Sequence, residues 1–221
     1  MSAAPEAVQA TSGYLCKHQM WWPIESEAMC KVCRPEDIKP TGPVKIDLGC
    51  GPNKKMGFLG VDSIAFPGVD VVLSIGSERW PWNENSVEEA HCSHTLEHLT
   101  NFNDKWERVH FFNELYRVLK PGAKCVLIFP HWNSSRFYGD PTHKEPISEW
   151  FAYYLSKEWR ATNAPHADIK HNPHGYDCHF EVAWGNVEHP ALAVRNAEYR
   201  SFATQWYKEA ILDLHCQLIK R

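Results

Sequence analysis

The sequence predicts an α/β protein built on a doubly wound sheet, and two segments near its start carry most of that prediction. The apolar segment at residues 44–48 runs directly into the glycine loop Gly49-Cys50-Gly51-Pro52, which is typical of a buried strand followed by a tight turn. A second apolar segment, at residues 58–62, ends on the carboxylate of Asp62. Further strand-like segments follow, and helix-like segments lie between the later ones, as expected when helices connect strands of one sheet.

The remaining elements are predicted in chain order. Strands are expected at residues 69–75, 87–92 and 124–129. A helix at residues 104–119, with Asn103 as its N-cap, carries apolar side chains at three- and four-residue steps and stops at Lys120-Pro121-Gly122.

The last third of the chain is predicted as a helix at residues 147–160, an exposed strand at residues 176–187 and a long C-terminal helix at residues 196–220. The final helix is expected because apolar side chains form a broad stripe there. Its members are Tyr199, Phe202, Ala203, Trp206, Tyr207, Ala210, Ile211, Leu214 and Leu218.

The glycine loop and the acidic strand end together suit a nucleoside-containing cofactor. Glycines at the end of a strand allow a ligand to approach the backbone closely, and an acidic side chain at the end of the next strand can accept hydrogen bonds from a ribose. A dinucleotide fingerprint requires a third glycine where this chain has Lys54, so a nicotinamide cofactor is disfavoured. The alternative is a glycine turn between two strands that binds no ligand.

Several motifs resemble class I S-adenosylmethionine (SAM)-dependent methyltransferases, which have a Rossmann-like sheet. Asp47-Leu48-Gly49-Cys50-Gly51 resembles their first motif, and the short connection to Gly57-Phe58-Leu59-Gly60-Val61-Asp62 resembles a compact, type-11-like branch. The segments Ser93-His94-Thr95-Leu96-Glu97-His98-Leu99 and Phe111 to Gly122 resemble further signatures of that branch. Asp140-Pro141-Thr142-His143 is similar to an element of methyltransferases from glycan and phage-type gene clusters.

The resemblance implies SAM as the cofactor and a set of residues that bind it. Ser74 stands where compact relatives carry an aspartate for the adenine amino group, and a hydroxyl accepts that bond more weakly than a carboxylate. His94 is expected to face the methionine part of SAM. The predicted cofactor-binding residues are Asp47, Gly49, Gly51, Asp62, Ser74, Ile75 and His94.

The reaction predicted from the resemblance is methyl transfer to an oxygen or nitrogen acceptor. A hydroxyl or cationic amine must lose a proton, and histidine suits that role at neutral pH. His143 and His131 follow the fifth strand and are the candidate catalytic bases, with Asp140 orienting one of them. The alternative is that these histidines only cap turns or bind water. The histidine-dense segment at residues 166–189 is interpreted as a polar loop and exposed strand rather than a metal or proton-transfer site.

A small zinc-binding lobe is predicted ahead of the sheet. Cys16, His18, Cys30 and Cys33 form two pairs of soft ligands that can close one tetrahedral structural site. The alternative is a flexible arm with incidental cysteines. The predicted organisation is a disordered tail at residues 1–13, the zinc lobe and linker at 14–43, a methyltransferase domain at 44–195 and the C-terminal helix at 196–221.

Composition limits the partners. The net charge of −4 disfavours a large nucleic-acid footprint without excluding a local one, and no apolar run is long enough for a membrane span. We expect a cytoplasmic enzyme that acts on a small molecule or glycan and forms a homodimer through the C-terminal helix. The rival functions are an interaction protein that keeps this fold and uses the zinc lobe and C-terminal helix for recognition, and a nucleic-acid methyltransferase.

Overall fold

The computed structural model describes the backbone of residues 13–15, 21–23 and 39–40 and the full residues 44–221. The first three strands form a small antiparallel sheet in the order β2-β1-β3, with β1 at Gly13–Leu15, β2 at Trp21–Pro23 and β3 at Lys39–Pro40. The predicted zinc ligands Cys16, His18, Cys30 and Cys33 lie outside the described residues.

A seven-stranded sheet organises residues 44–221 and confirms the predicted α/β fold class. Its strands are β4 (Val44–Leu48), β5 (Leu59–Asp62), β6 (Val71–Val72), β7 (Val87–Ser93), β8 (Leu119–Pro130), β9 (Phe180–Glu188) and β10 (Ile211–Lys220). Their order is β6-β5-β4-β7-β8-β10-β9, and all pairs from β6 to β8 are parallel. The chain turns outward in opposite directions on the two sides of β4, and ligands of open α/β sheets bind at the carboxyl ends of strands at such a switch point.

The core forms around the parallel strands. Ile46 and Leu48 of β4 are fully buried, as expected of a strand covered on both faces. The helices are α1 (Glu107–Val118), α2 (Ser135–Tyr138), α3 (Phe151–Tyr154), α4 (Lys157–Asn163) and α5 (Ala197–Trp206). Phe111, Phe112 and Leu115 of α1 belong to the same buried cluster as β4. None of the helices in the described chain combines the length and hydrophobicity that a membrane crossing requires.

The predicted C-terminal helix is wrong over its second half. The chain leaves α5 through Glu209, whose φ is 66°, and continues as β10, which runs antiparallel to both β8 and β9. Within β10 the buried residues alternate with the exposed His215 and Gln217, which is a period of two. Leu214 and Leu218, four residues apart, are compatible with either a helix or a strand, so their spacing misled the prediction.

Two other predicted helix boundaries also differ. Asn103 is not the N-cap of α1, because Asn103 has a φ of 56° and the helix begins at Glu107. The N-cap position is Trp106, and Oδ1 of the more distant Asn101 accepts hydrogen bonds from the backbone N–H groups of Arg108 and Val109 at 3.1 and 3.3 Å. The helix predicted at residues 147–160 is divided into α3 and α4, and the hydroxyl of Ser156 caps the second of these.

Candidate active site

The glycine loop after β4 has a backbone shape that requires glycine. Gly49 and Gly51 have φ values of 68° and 54°, in the left-handed region. The N–H groups of Gly49 and Cys50 both donate to the carbonyl of Val61 in β5, at 2.7 and 3.1 Å. A Cβ on Gly49 would lie 2.1 Å from Oγ1 of Thr95, so this position has no room for a side chain.

Asp62, at the end of β5, connects the glycine loop to the neighbouring strand. Its Oδ2 accepts from the backbone N–H of Gly51 at 2.9 Å, and its Oδ1 accepts from that of Ile64 at 3.0 Å. A carboxylate offers about four acceptor positions, so both oxygens keep capacity for another donor. The carboxylate can therefore bind a diol while it holds the loop.

Asp47 lies behind this loop. Its buried carboxylate accepts from the backbone N–H of Lys55 at 2.8 Å through Oδ2 and contacts Nδ1 of His91 at 2.7 Å through Oδ1. Both oxygens thus tie the residues after the glycine loop to β7. This arrangement makes Asp47 a positioning residue for the loop.

A cavity of about 470 Å³ opens at the carboxyl ends of β4, β5 and β7. It brings together six of the seven predicted cofactor-binding residues, and Asp47 is the exception. Ser74 contributes a hydroxyl that lies 2.8 Å from Oγ of Ser77, and the adjacent Ile75 carbonyl accepts from the indole N–H of the buried Trp80. The predicted residues in the wall are Gly49, Gly51, Asp62, Ser74, Ile75 and His94.

Sequence reasoning missed other residues in the same wall. Thr95, His98 and Leu99 follow β7, and Glu107 and Lys144 form an ion pair of 3.2 Å at the edge of the cavity. Glu107 is the first residue of α1, whereas Lys144 directly follows Asp140-Pro141-Thr142-His143. The similarity of that four-residue element to methyltransferases was the only sequence signal for this side of the cavity.

His94 is half-exposed and has a φ of 52°, a conformation that non-glycine residues rarely adopt and that is enriched at functional sites. Its Nδ1 lies 3.5 Å from Oε1 of the buried Glu97. Attraction to that carboxylate raises the pKa of His94 above its usual value near 6.5, although burial opposes the shift. The imidazole is therefore held at the cavity wall, and its basicity is increased.

The structure places His131 away from the cavity wall. Its side chain is buried, Nδ1 accepts from the N–H of Asn133 at 3.3 Å, and Nε2 lies 3.3 Å from Glu149. Both ring nitrogens are thus engaged within the fold. The hydrogen bond from His131 also holds the pKa of the Glu149 carboxyl below its usual range. This geometry gives His131 a structural role.

His143 is partly buried and lies next to a wall residue in the chain without being part of the wall itself. Its Nδ1 contacts the carbonyl of Phe137 at 2.7 Å, and its ring packs edge-on against that of His98 with centroids 4.7 Å apart. Asp140 is exposed and accepts from the hydroxyl and the N–H of Thr142, while its Oδ2 is 3.7 Å from Nε2 of His143. The Phe137 carbonyl, rather than Asp140, fixes the orientation of the ring.

A second cavity of about 450 Å³ lies beside the first, between α1 and the segment that follows β8. Trp106 and His174 stack in parallel in its wall, with ring centroids 5.1 Å apart. The guanidinium of Arg108 donates to the carbonyl of Leu96 at 3.1 Å, and burial lowers its pKa. Other lining residues are Asn101, Val109, Phe112, Phe151, Tyr154, His166 and Tyr176. The sequence indicated only a helical stripe and a polar loop here, because the cavity forms between two distant segments.

Comparisons with known proteins agree with this fold. Residues 61–127 match the family model Methyltransf_11, described as a methyltransferase domain. No curated protein matches the chain. A SAM-dependent methyltransferase from Archaeoglobus fulgidus is similar in structure, with 18% identity, a TM-score of 0.52 and coverage of 81% of this chain and 87% of that one.

Two further solved structures are more distant. The YcgJ protein of Bacillus subtilis is 15% identical over 81% of this chain and 92% of its own, with a TM-score of 0.44. A geranyl diphosphate C-methyltransferase from Streptomyces coelicolor is 14% identical over 81% of this chain and 71% of its own, with a TM-score of 0.45.

Proposed function

We propose that this chain, which is a class I SAM-dependent methyltransferase, methylates an oxygen or nitrogen of a small-molecule or glycan acceptor. The observation that carries the proposal is the pair of neighbouring cavities at the carboxyl edge of the sheet. The first has the glycine loop and the free acceptor capacity of Asp62, which fit a nucleoside. The second is lined by aromatic rings and fits the body of an acceptor.

The wall of the first cavity suggests how this chain holds SAM. Asp62 accepts hydrogen bonds from the ribose, Ser74 and Ile75 border the adenine, and His94 lies on the side of the methionine. SAM, when bound, supplies an activated methyl group on its sulfonium. The protein then has to align the acceptor with that methyl group, because positioning provides much of the acceleration in such a displacement.

The second cavity is proposed to hold the acceptor. Stacked aromatic rings such as Trp106 and His174 suit a planar or ring-shaped molecule, and the partly buried Arg108 suits a polar or anionic substituent. Where the acceptor must lose a proton, we propose His94 rather than His131 as the proton acceptor, because His94 alone of the two lies in the cavity wall.

Two measurements test this function. Calorimetry should show binding of SAM and of its demethylated product to the purified protein, and absence of both would refute the assignment of the first cavity. Incubation with methyl-labelled SAM and separate pools of hydroxylated small molecules, amines, glycans and RNA should label a small molecule or glycan. Label that enters RNA alone would contradict the proposed acceptor class and favour a nucleic-acid methyltransferase.

We also propose a structural zinc ion in the N-terminal lobe, bound by Cys16, His18, Cys30 and Cys33. The antiparallel pairing of β1 with β2 and with β3 supports this, because the first ligand pair falls in the connection from β1 to β2 and the second in that from β2 to β3. Structural zinc sites typically take their four ligands as two closely spaced pairs of cysteine or histidine. Elemental analysis should show about one zinc fewer per chain in Cys30→Ser than in the wild type, and an unchanged zinc content would contradict the site.

Self-association through α5 is a further proposal. Only Ala203 of this helix is buried, whereas Phe202 and Trp206 are 50% and 70% exposed and lie four residues apart on one face. Identical patches favour pairing about a two-fold axis, so we propose a second copy of this chain as the occupant. Light scattering should give a dimer for the wild type and a monomer for Trp206→Ser. A monomeric wild-type protein at micromolar concentration would refute self-association through α5.

A further inference from the structure

Glu97, His98 and His143 form a cluster that the proposed function does not use. One ligand atom from each lies within 4.8 Å of the others, and the cluster is the sole group of this kind among the residues that the structure describes. Glu97 and His98 come from the turn after β7, whereas His143 comes from the Asp140-Pro141-Thr142-His143 element after β8. The cluster therefore joins two segments whose motifs resemble those of methyltransferases.

Glu97 is in an environment that a carboxylate rarely tolerates alone. Its side chain is 1% exposed, and neither carboxylate oxygen has a hydrogen-bond partner. The nearest charged neighbours are Nδ1 of His94 at 3.5 Å and Nε2 of His143 at 3.9 Å, both longer than charge-assisted hydrogen bonds. A buried carboxylate without partners is expensive, so a cation that it binds would explain its position.

The two imidazoles are prepared for metal binding by their other contacts. Nδ1 of His143 can only donate to the Phe137 carbonyl, which leaves the lone pair on Nε2. Nδ1 of His98 lies 3.3 Å from both the carbonyl oxygen and the hydroxyl oxygen of Thr142. That hydroxyl donates its only proton to Asp140 at 2.7 Å, so it can only accept from His98. Nδ1 of His98 is therefore also the donor. Donation of one ring N–H to a carbonyl is the usual support for a metal-binding histidine.

We propose that Glu97, His98 and His143 bind a divalent transition metal, with zinc as the preferred ion, at the edge of the cofactor cavity. Two imidazoles and one carboxylate are a recurrent set for zinc sites that keep an open position. Ligand atoms around tetrahedral zinc lie about 3.3 Å apart, from bond lengths of about 2.0 Å. The three side chains would need to close by roughly an ångström from their present separations.

The site has a consequence for the acceptor, and this part rests on the proposed function. His98 belongs to the wall of the first cavity, together with its neighbours Thr95 and Lys144. A metal with three protein ligands retains an open position, which would bind and polarise an acceptor oxygen beside the transferable methyl group. The acceptor would then be a hydroxyl compound, and the Asp140-Pro141-Thr142-His143 element would build the metal site instead of supplying a base.

Cobalt substitution is the direct test on the full chain. Wild-type protein treated with chelator and loaded with Co²⁺ should bind two ions, one of them without the sulfur-to-cobalt charge transfer that cysteine ligands produce. Cys33→Ser should lose the sulfur band and keep the other ion. His98→Ala and Glu97→Gln should each lower the affinity for that second ion by about a hundredfold or more. Loss of a residue that only hydrogen-bonds to a metal ligand lowers the affinity by about 10- to 100-fold. A single ion per wild-type chain that shows the sulfur-to-cobalt band, with SAM binding intact, would overturn the Glu97-His98-His143 site and leave the proposed function standing.

Thermal unfolding separates metal binding from a structural role of the buried carboxylate. Zinc at a hundred times its Kd should raise the wild-type melting temperature by about 5–10 °C. Glu97→Gln should lose this rise, and its metal-free melting temperature should fall less than that of Glu149→Gln, because neither Glu97 oxygen makes a hydrogen bond. Glu149→Gln, in which a paired carboxylate is changed, should melt lower and keep the rise. A fall in metal-free Glu97→Gln as large as in Glu149→Gln would contradict the inference.

The open position has its own readout. Acetohydroxamate, a bidentate oxygen ligand, should shift the visible bands of the cobalt ion that lacks sulfur ligands in Cys33→Ser. An unchanged spectrum would refute acceptor binding by the metal while the metal site itself stands. Failure of SAM to bind any of these proteins would instead refute the proposed function, so the two failures are distinguishable.

Discussion

Replacement of Asp62 by asparagine should separate cofactor binding from support of the glycine loop. Asp62 accepts from Gly51 at 2.9 Å and from Ile64 at 3.0 Å, and its remaining acceptor capacity faces the cavity. A hydrogen bond to a charged group contributes about 1.5–3 kcal/mol, so loss of the ribose contact should raise the Kd for SAM by about 10- to 150-fold. Asparagine keeps one carbonyl oxygen and can retain one of the two loop bonds. The free energy of unfolding should fall by only about 1–2 kcal/mol, which lowers the melting temperature by roughly 2–8 °C.

Asp168→Asn is a matched control for this change. Oδ1 of Asp168 accepts from the N–H of Lys170 two residues on, at 3.1 Å, as Oδ1 of Asp62 does from Ile64, and its Oδ2 lies 3.3 Å from Nε of the buried Arg160. Asp168 is far from the first cavity in the chain and is not part of its wall. The control should lose at least as much stability and bind SAM as the wild type does in calorimetry. Wild-type affinity in folded Asp62→Asn, or an equal loss in the control, would refute the ribose assignment.

The other predictions concern backbone shape, the adenine site and pH. Gly49→Ala should cost about 2–5 kcal/mol in urea unfolding, because the left-handed φ adds to a side-chain clash, whereas Gly51→Ala has open space and should cost about 1–2 kcal/mol; equal costs would contradict this. Ser74→Asp should tighten SAM binding about tenfold in calorimetry by providing a charged acceptor, and unchanged affinity would place the adenine elsewhere. The pKa of Glu149 is held below its usual 4.5 by His131, so its stabilising effect is present above that pH and disappears as pH falls through the folded pKa. Glu149→Gln should therefore lose less stability on acidification, and parallel unfolding curves for both proteins would contradict the pairing.

Several features of this protein could be predicted because they are encoded by residues close together in the chain. The glycine loop after β4 needs positive φ angles, which favour glycine, and Asp62 ends the next strand in register with that loop. The boundaries of β4, β5, β7 and most of α1 likewise follow from local periodicity and from Lys120-Pro121-Gly122. These segments contain most of the predicted cofactor-binding residues, so the first cavity could largely be anticipated from them.

Other features depend on which distant segments meet, and periodicity does not specify that. Residues 211–220 could form a helix or a strand by spacing alone. Backbone pairing with β8 on one side and β9 on the other makes them a strand.

Tertiary contacts likewise determine the different surroundings of His131 and His143. Both are histidines after β8, yet Asn133 and Glu149 engage one ring, whereas packing brings the other beside Glu97 and His98. The sequence by itself determined the residue types available for binding and the local backbone shapes. Only the tertiary structure determined which side chains share a cavity, because burial and hydrogen-bond satisfaction are properties of the neighbours that folding brings together.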